Sequence, residues 1–339
     1  TYRFDLTIEE DLIEEVARIY GYDQIPAHSP RASLEMLSAS EKLQSPINFK
    51  HTLVIRDYQE VINYAFVNAE WERDFGNDDP ITLKNPIASQ MNVMRSTLIG
   101  GLLANLQFNL NRKQTRVRLF EMGGCFVRDG KNGTKQIDKI AGVSYGDAVT
   151  EQWGVAARDI DFFDIKADVE VLCGNNTIRC KKLLHPMLHP GKSAQVCIND
   201  EAVGWIGELH PRLQNKYGLQ KNVVLFELNV EQLLSKSLPT AQELTKFPPV
   251  RRDIAIIVDN EVSVDSLLTS MYGAKSAIVT DISLFDIYRG KGMENNKKSL
   301  AFRVLLQDTE KTLTDEEADF AVTSLIKILE EKFAAVLRN

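Results

Sequence analysis

Four cysteines in 339 residues (Cys125, Cys173, Cys180 and Cys197) form no CxxC pair and keep no regular spacing. Their scarcity excludes a disulfide framework and a zinc ribbon, and it points to buried thiols in a reducing cytoplasm. Five scattered histidines give no readable Ser/His/Asp arrangement. His185 and His189 have metal-ligand spacing only on a helix, and Pro186 and Pro190 break one there. No apolar run approaches the roughly 20 residues of a membrane span, so no membrane contact is expected. The first residues lack the pattern of a secretory signal, and no fixed-period repeat or low-complexity tract occurs. Phosphate loops are missing too. His189-Pro-Gly-Lys-Ser193 ends like a P-loop but has Pro186 where the earlier glycine belongs, and Gly290-Lys-Gly292 is too short for a dinucleotide fingerprint.

A global excess of positive charge is also absent. The net charge is -7, and residues 1–27 alone hold seven acids against two bases, so the remainder is nearly balanced. Any nucleic-acid contact must therefore be local. Within the acidic segment Thr7 and Glu10 read as a capping box, predicting a helix from Thr7 to about Tyr20 that Gly21 ends. Asp11, Glu14 and Glu15 then share one face, with Asp5 close enough in sequence to join them. Ile8, Leu12, Val16 and Ile19 line the other face, which is expected to be buried. Clustered hard oxygens suit Mg²⁺ or Ca²⁺, whereas a solvated acidic face with Glu14 paired to Arg18 is the alternative.

Composition (44% hydrophobic, 26% charged) is that of a globular protein with room for two or three domains. Residues 28–39 read as a linker, and the proline-bearing stretch from Lys236 to Val250 reads as a second. The expected division is 1–27, a stub; 28–39, the linker; 40–238, a central module; and 239–339, a terminal domain. In the module, helices are predicted over 40–58, 96–111, 161–173 and 230–236. Strands are predicted over 61–67, 116–122, 140–145, 178–184, 193–199, 203–209 and 223–228. Leu98, Leu102, Leu106 and Leu110 recur every fourth residue and mark a core face. This order implies an α+β fold with a largely antiparallel sheet.

From Phe247 the pattern reads strand 253–258, helix 264–272, strand 278–288, strand 299–307 and helix 315–333, with a further strand possible. This is the order of a ferredoxin-like split βαβ domain. Thr314 and Glu317 form a capping box for its last helix. Residues 246–303 hold nine bases and seven acids, with Arg251, Arg252, Arg289, Lys291, Lys297, Lys298 and Arg303 grouped among them. An open sheet with arginines and aromatics can stack unpaired bases. The competing readings are that Arg251 and Arg252 fix the linker and that Arg303 pairs with Asp286.

Tyr2-Arg-Phe-Asp5 with Glu10-Asp-Leu-Ile-Glu-Glu-Val-Ala-Arg-Ile-Tyr-Gly-Tyr-Asp23 resembles the end of the small domain before the catalytic-like module of bacterial phenylalanyl-tRNA synthetase β subunits. The module resembles the class II synthetase fold in its β-subunit form, through Asn85-Pro-Ile, Met94-Arg-Ser-Thr-Leu98, Leu119-Phe-Glu-Met-Gly123, His189-Pro-Gly-Lys-Ser193 and Gly204-Trp-Ile-Gly-Glu-Leu-His-Pro211. Phe247-Pro-Pro-Val-Arg-Arg-Asp253, Phe285-Asp-Ile-Tyr-Arg-Gly290 and Lys298-Ser-Leu-Ala-Phe-Arg303 resemble the ferredoxin-fold anticodon-binding domain. The resemblance covers essentially the whole chain and implies a C-terminal fragment of such a subunit, with the editing domain upstream. It implies Mg²⁺ at Asp5, Asp11, Glu14 and Glu15, shared with the α subunit. It also implies an α2β2 complex and tRNA(Phe) contact by the terminal domain, for which the basic grouping offers Arg251, Arg252, Arg289, Lys291 and Arg303.

Catalysis is not implied. Class II catalysts place arginine forks on ATP phosphates. Here the late segment Phe226-Glu-Leu-Asn-Val-Glu-Gln-Leu-Leu234 has neither Gly nor Arg, and Cys125-Phe126 follows Gly123-Gly124. The expectation is a structural partner of a catalytic α subunit. A free-standing RNA-binding or scaffold protein is the second reading, and a Mg²⁺-dependent phosphoryl-transfer enzyme is the third.

Overall fold

The computed structural model describes all residues except 1, 2, 36–39, 131, 132, 242, 243, 291, 292, 295 and 339, and it separates into Thr1–Ser40 and Glu41–Asn339. In the first unit, helix α1 spans Glu9–Tyr20. The Thr7–Glu10 box does not form. Asp11 Oδ2 instead accepts hydrogen bonds from the backbone N–H groups of Thr7 at 2.7 Å and Ile8 at 3.0 Å, so the helix begins two residues later. Gly21 ends it at φ 99°. Ile8, Leu12, Val16 and Ile19, expected to be buried, are exposed. Within this unit there is no sheet or second α-helix among the described residues to cover that stripe.

The second unit begins with α2 (Pro46–Ile55), shorter than predicted because Pro46 occupies its first turn and Ser45 its cap position. Only Phe49 and Leu53 of α2 are buried. Of the predicted strand over 61–67 only β2 (Phe66–Val67) forms, and a two-residue strand, β1 (Gln59–Glu60), precedes the range. Between them Asn63 bonds Glu121 through both its backbone and side-chain nitrogens. There follow α3 (Ala69–Asp74), β3 (Val93–Met94), α4 (Ile99–Asn111) and the long hairpin β4 (Val117–Asp129) and β5 (Gly133–Tyr145). Next come α5 (Phe162–Cys173), β6 (Ile178–Lys182), β7 (Leu188–Ile198), β8 (Glu201–Leu209), α6 (Pro211–Lys216), β9 (Val223–Asn229) and α7 (Val230–Leu234).

Seven of these strands form one sheet in the order β1-β4-β5-β9-β8-β7-β6, antiparallel except at β1/β4. Helices cover both faces, so strand side chains alternate between two cores. Phe120, Ile140, Val224 and Phe226 pack with α2 and α5. Leu119, Val143, Val223 and Leu225 pack with Leu98, Leu102 and Leu106 of α4. Each such side chain, fully withdrawn from water, contributes about 1.5–3 kcal/mol. Gly142 lies where β5 and β9 pack closely, since a Cβ there would sit 2.4 Å from the Phe226 ring.

The last part comprises β10 (Val250–Asp259), α8 (Val264–Ala274), β11 (Val279–Tyr288), β12 (Lys297–Leu306), α9 (Asp315–Phe333) and β13 (Val336–Leu337). Its sheet order, β11-β12-β10-β13, is all antiparallel, and the β10-α8-β11 crossover leaves the gap that β12 fills. This is the split βαβ arrangement, with the further strand present. Ile254, Ile256, Leu300 and Phe302 join α8 and α9 in a core separate from the module's two. The Thr314–Glu317 box caps α9 as predicted. Among the described residues no helix is long and apolar enough to cross a membrane.

Candidate functional site

The module holds a cleft of about 420 Å³ at one end of the central strands, lined by Phe75, Phe126, Lys139, His185, Trp205 and Glu227 among others. Glu227, on β9, is 3% exposed. It accepts from Thr97 Oγ1 at 2.6 Å, from the Leu98 N–H at 2.8 Å and from Lys139 Nζ at 2.7 Å. Lys139 also donates to the Ser96 carbonyl at 3.0 Å. Buried Glu72 takes the Ser96 N–H and hydroxyl together with Asn77 Nδ2. Arg95, beneath the same wall, donates to Glu121 at 2.7 Å and to the Gly124 carbonyl at 3.0 Å. Gly123 makes room for it, because a Cβ there would lie 2.5 Å from Arg95 Nη2. At the mouth, Arg128 pairs with Asp79 at 2.8 Å. Every cation of the cleft is therefore matched to a protein acid, and a triphosphate would have to displace one of those acids.

His185 packs its ring on Trp205 with centroids 5.4 Å apart, and its Nδ1 accepts the Met187 N–H at 3.3 Å. Burial holds its pKa below the ordinary 6.5. The neutral imidazole is thus the native form. Its stabilising contribution is complete above the unfolded value and falls away as the pH drops through the lower folded one. An NMR titration of His185 should give a midpoint below 6.5; a midpoint at or above it would contradict a desolvated ring.

The acidic segment does not assemble as a cation site. Arg3 donates to Asp5 at 2.9 and 2.6 Å and to Glu15 at 3.0 Å, holding the Asp5 carboxyl down at about 2. Arg18 turns to Glu15 at 2.5 Å, not to Glu14, which is exposed. Asp11 is engaged by the α1 cap. The donor set of hard oxygens suits Mg²⁺, yet in this arrangement arginine and backbone N–H groups occupy it. Among the described residues no group of three His, Cys, Asp or Glu side chains is placed to hold a metal.

The predicted basic group divides between the two faces of the C-terminal sheet. Arg252 lies on the helix side and ties β10 to α9 through Asp319 at 2.9 Å and Asp315 at 2.6 Å. Lys298 is buried and donates to the carbonyls of Asn260 and Val262, where desolvation lowers its pKa. Arg251 and Arg303 are on the open face. Arg251 forks onto Asp253 at 3.0 and 2.7 Å. Arg303 lies 5.3 Å over the Phe285 ring and 4.0 Å from Asp253, and it does not pair with Asp286. Arg289 is exposed just beyond β11, and Lys291 lies outside the described residues. Sequence reasoning missed Arg338, which donates to Ser299 at 3.2 Å and stands 5.4 Å over the Tyr288 ring. Only the late pairing of β13 with β10 brings it there. Two cation–aromatic pairs thus stand on the strand surface opposite the one packed by α8 and α9, a platform able to stack bases and contact phosphates.

Comparison with known proteins accounts for each part. Residues 1–22 match the tRNA synthetase B5 domain, 25–230 the phenylalanyl tRNA synthetase beta chain CLM domain, and 245–338 the ferredoxin-fold anticodon binding domain. A phenylalanine–tRNA ligase beta subunit of Nitrosospira multiformis is 58% identical over 100% of this chain, which spans 43% of that protein. The same subunit of Chromobacterium violaceum is 52% identical over 98% of this chain and 42% of its own length. The chain thus spans less than half the length of these relatives. With the central match covering residues 25–230 and the relatives aligned over nearly every residue, the chain belongs to the phenylalanyl-tRNA synthetase β-chain family.

Proposed function

We propose that this chain acts as the C-terminal part of a phenylalanine–tRNA ligase β subunit in the cytoplasm. In this reading it is the non-catalytic partner of a catalytic α subunit, in an α2β2 complex that uses ATP to form phenylalanyl-tRNA. The observation that carries it is the cleft, where among the described residues the lining Lys139 is bonded to Glu227 at 2.7 Å and the lining Arg128 to Asp79 at 2.8 Å. The open sheet face supports tRNA contact near the anticodon, through Arg303, Arg251 and Arg289, with Phe285, Tyr288 and Arg338 beside them. Mg²⁺ at Asp5, Asp11, Glu14 and Glu15 would require Arg3 to release Asp5 and Glu15, so we place metal binding in the complex and not in this chain alone.

The surface offered to the α subunit lies along the sheet edge formed by β1. Ile55, Ile62 and Tyr64 are 84%, 90% and 71% exposed there. Isolated apolar side chains are ordinary on surfaces, but three on one edge strand and its flanks suit an obligate interface. Ile62→Asp should leave the fold intact and weaken co-purification with α at least tenfold, about 1.4 kcal/mol. Undiminished association would place the α subunit elsewhere.

A further inference from the structure

Among the described residues, the parts 41–238 and 245–339 share no apolar cluster. Such parts reorient freely unless a specific contact holds them. Among the described residues, every side-chain hydrogen bond that crosses between them starts from one residue, Arg179. It stands on β6, the outermost strand of the large sheet. Its Nε donates to Asp265 Oδ1 at 3.0 Å and its Nη2 to Asp265 Oδ2 at 2.6 Å and to Thr269 Oγ1 at 3.2 Å. Both acceptors are on α8, and Asp265 is in its first turn, where the helix dipole favours a carboxylate. The remaining arm is held from the module side, since Nη1 donates to Asp200 at 2.9 Å. Asn199 and Asp200, at φ 51° and 65°, make the tight turn between β7 and β8 that aims this carboxylate. The guanidinium is thus held from the module side as well as by α8, and a planar fork on both oxygens of one carboxylate sets an angle as well as a distance.

We propose that Arg179 is a positioning residue that sets the orientation of the C-terminal domain on the module, and thereby where a tRNA bound to that domain presents its acceptor end. The inference rests on the tRNA reading under Proposed function. Arg179 touches neither the open sheet face nor the cleft, so it acts through its contacts to α8, chiefly the fork on Asp265 with Thr269 beside it.

The test uses the full-length β subunit in complex with α, numbered as here. Arg179→Glu should raise the KM for tRNA in aminoacylation about tenfold, the scale of losing one charge-assisted fork. Phenylalanine-dependent ATP–pyrophosphate exchange should stay unchanged, because it needs no tRNA. Combining Arg179→Glu with Asp265→Arg should return the KM to within about threefold of the native value, a rescue that general loss of packing would not show. Asp265→Asn, a near-isosteric change, should give the same KM rise without perturbing α8. An unchanged KM in both single variants, or a charge swap that restores nothing, overturns the proposal. Removing residues 245–339 from the same complex separates the two claims. If removal raises the KM and Arg179→Glu does not, positioning fails and the tRNA reading stands. If removal leaves the KM unchanged, the tRNA reading fails and positioning falls with it.

Discussion

Replacing Asp168 with alanine should destabilise the module by about 3–5 kcal/mol, the cost of breaking a buried ion cluster by removing one partner. Asp168 sits on α5 with no exposed surface. It accepts from Arg56 Nε at 2.7 Å and Nη2 at 2.6 Å, from the Tyr58 hydroxyl at 2.7 Å and from Arg118 at 3.5 Å. Tyr58 in turn accepts from Ser144 at 2.8 Å, and burial raises its phenol pKa well above the ordinary range. Without the carboxylate, Arg118 would keep a charge in a site where its Nε already lacks a partner. Urea unfolding of the module, followed at Trp71 and Trp205, reads the loss. Glu170→Ala, which removes only the exposed partner of Lys166, should change stability by no more than about 0.5 kcal/mol. Equal effects of the two substitutions would mean that the cluster is well solvated.

The second large effect concerns RNA. Reversing charge at Arg303 and Arg338 together should weaken tRNA binding by the αβ complex about tenfold to a hundredfold. It should also lower the salt slope by about one unit for each phosphate that is no longer neutralised. Arg252→Glu should act differently. It unties β10 from α9, so its effect is on the stability of the domain and on RNA only through that. Removing residues 245–339 should abolish the RNA contribution while leaving the module folded, because among the described residues its two cores draw on none beyond 234 and the C-terminal core is closed on itself. Binding with unaltered affinity and slope after the double reversal would move the tRNA interface off the open face.

Periodicity made most of the architecture legible. The four-residue spacing of leucines along α4 and the apolar runs of β5 and β9 pointed to a largely antiparallel sheet packed on helices, though not to helices on both of its faces. Three things escaped it, each for a physical reason. Capping chemistry is local but degenerate: Thr7, Glu10 and Asp11 all carry suitable oxygens, and geometry selected Asp11. The stretch 61–67 has strand composition, yet its polar atoms are drawn to Glu121 by tertiary contacts. Basic residues close in sequence were read as one patch, although strand alternation sends Arg251 and Arg252 to opposite faces. In the acidic segment the reading left out Arg3, which lies two residues from Asp5 and bonds both Asp5 and Glu15.

Phenylalanine-dependent ATP–pyrophosphate exchange tests the central claim, that this class II-type module holds up a complex without catalysing its reaction. The pure chain should show none at any ATP concentration, and exchange should appear when the α subunit is added. Exchange by the chain alone, lost on Glu227→Ala or Lys139→Ala, would show that the cleft opens to nucleotide and would contradict the account.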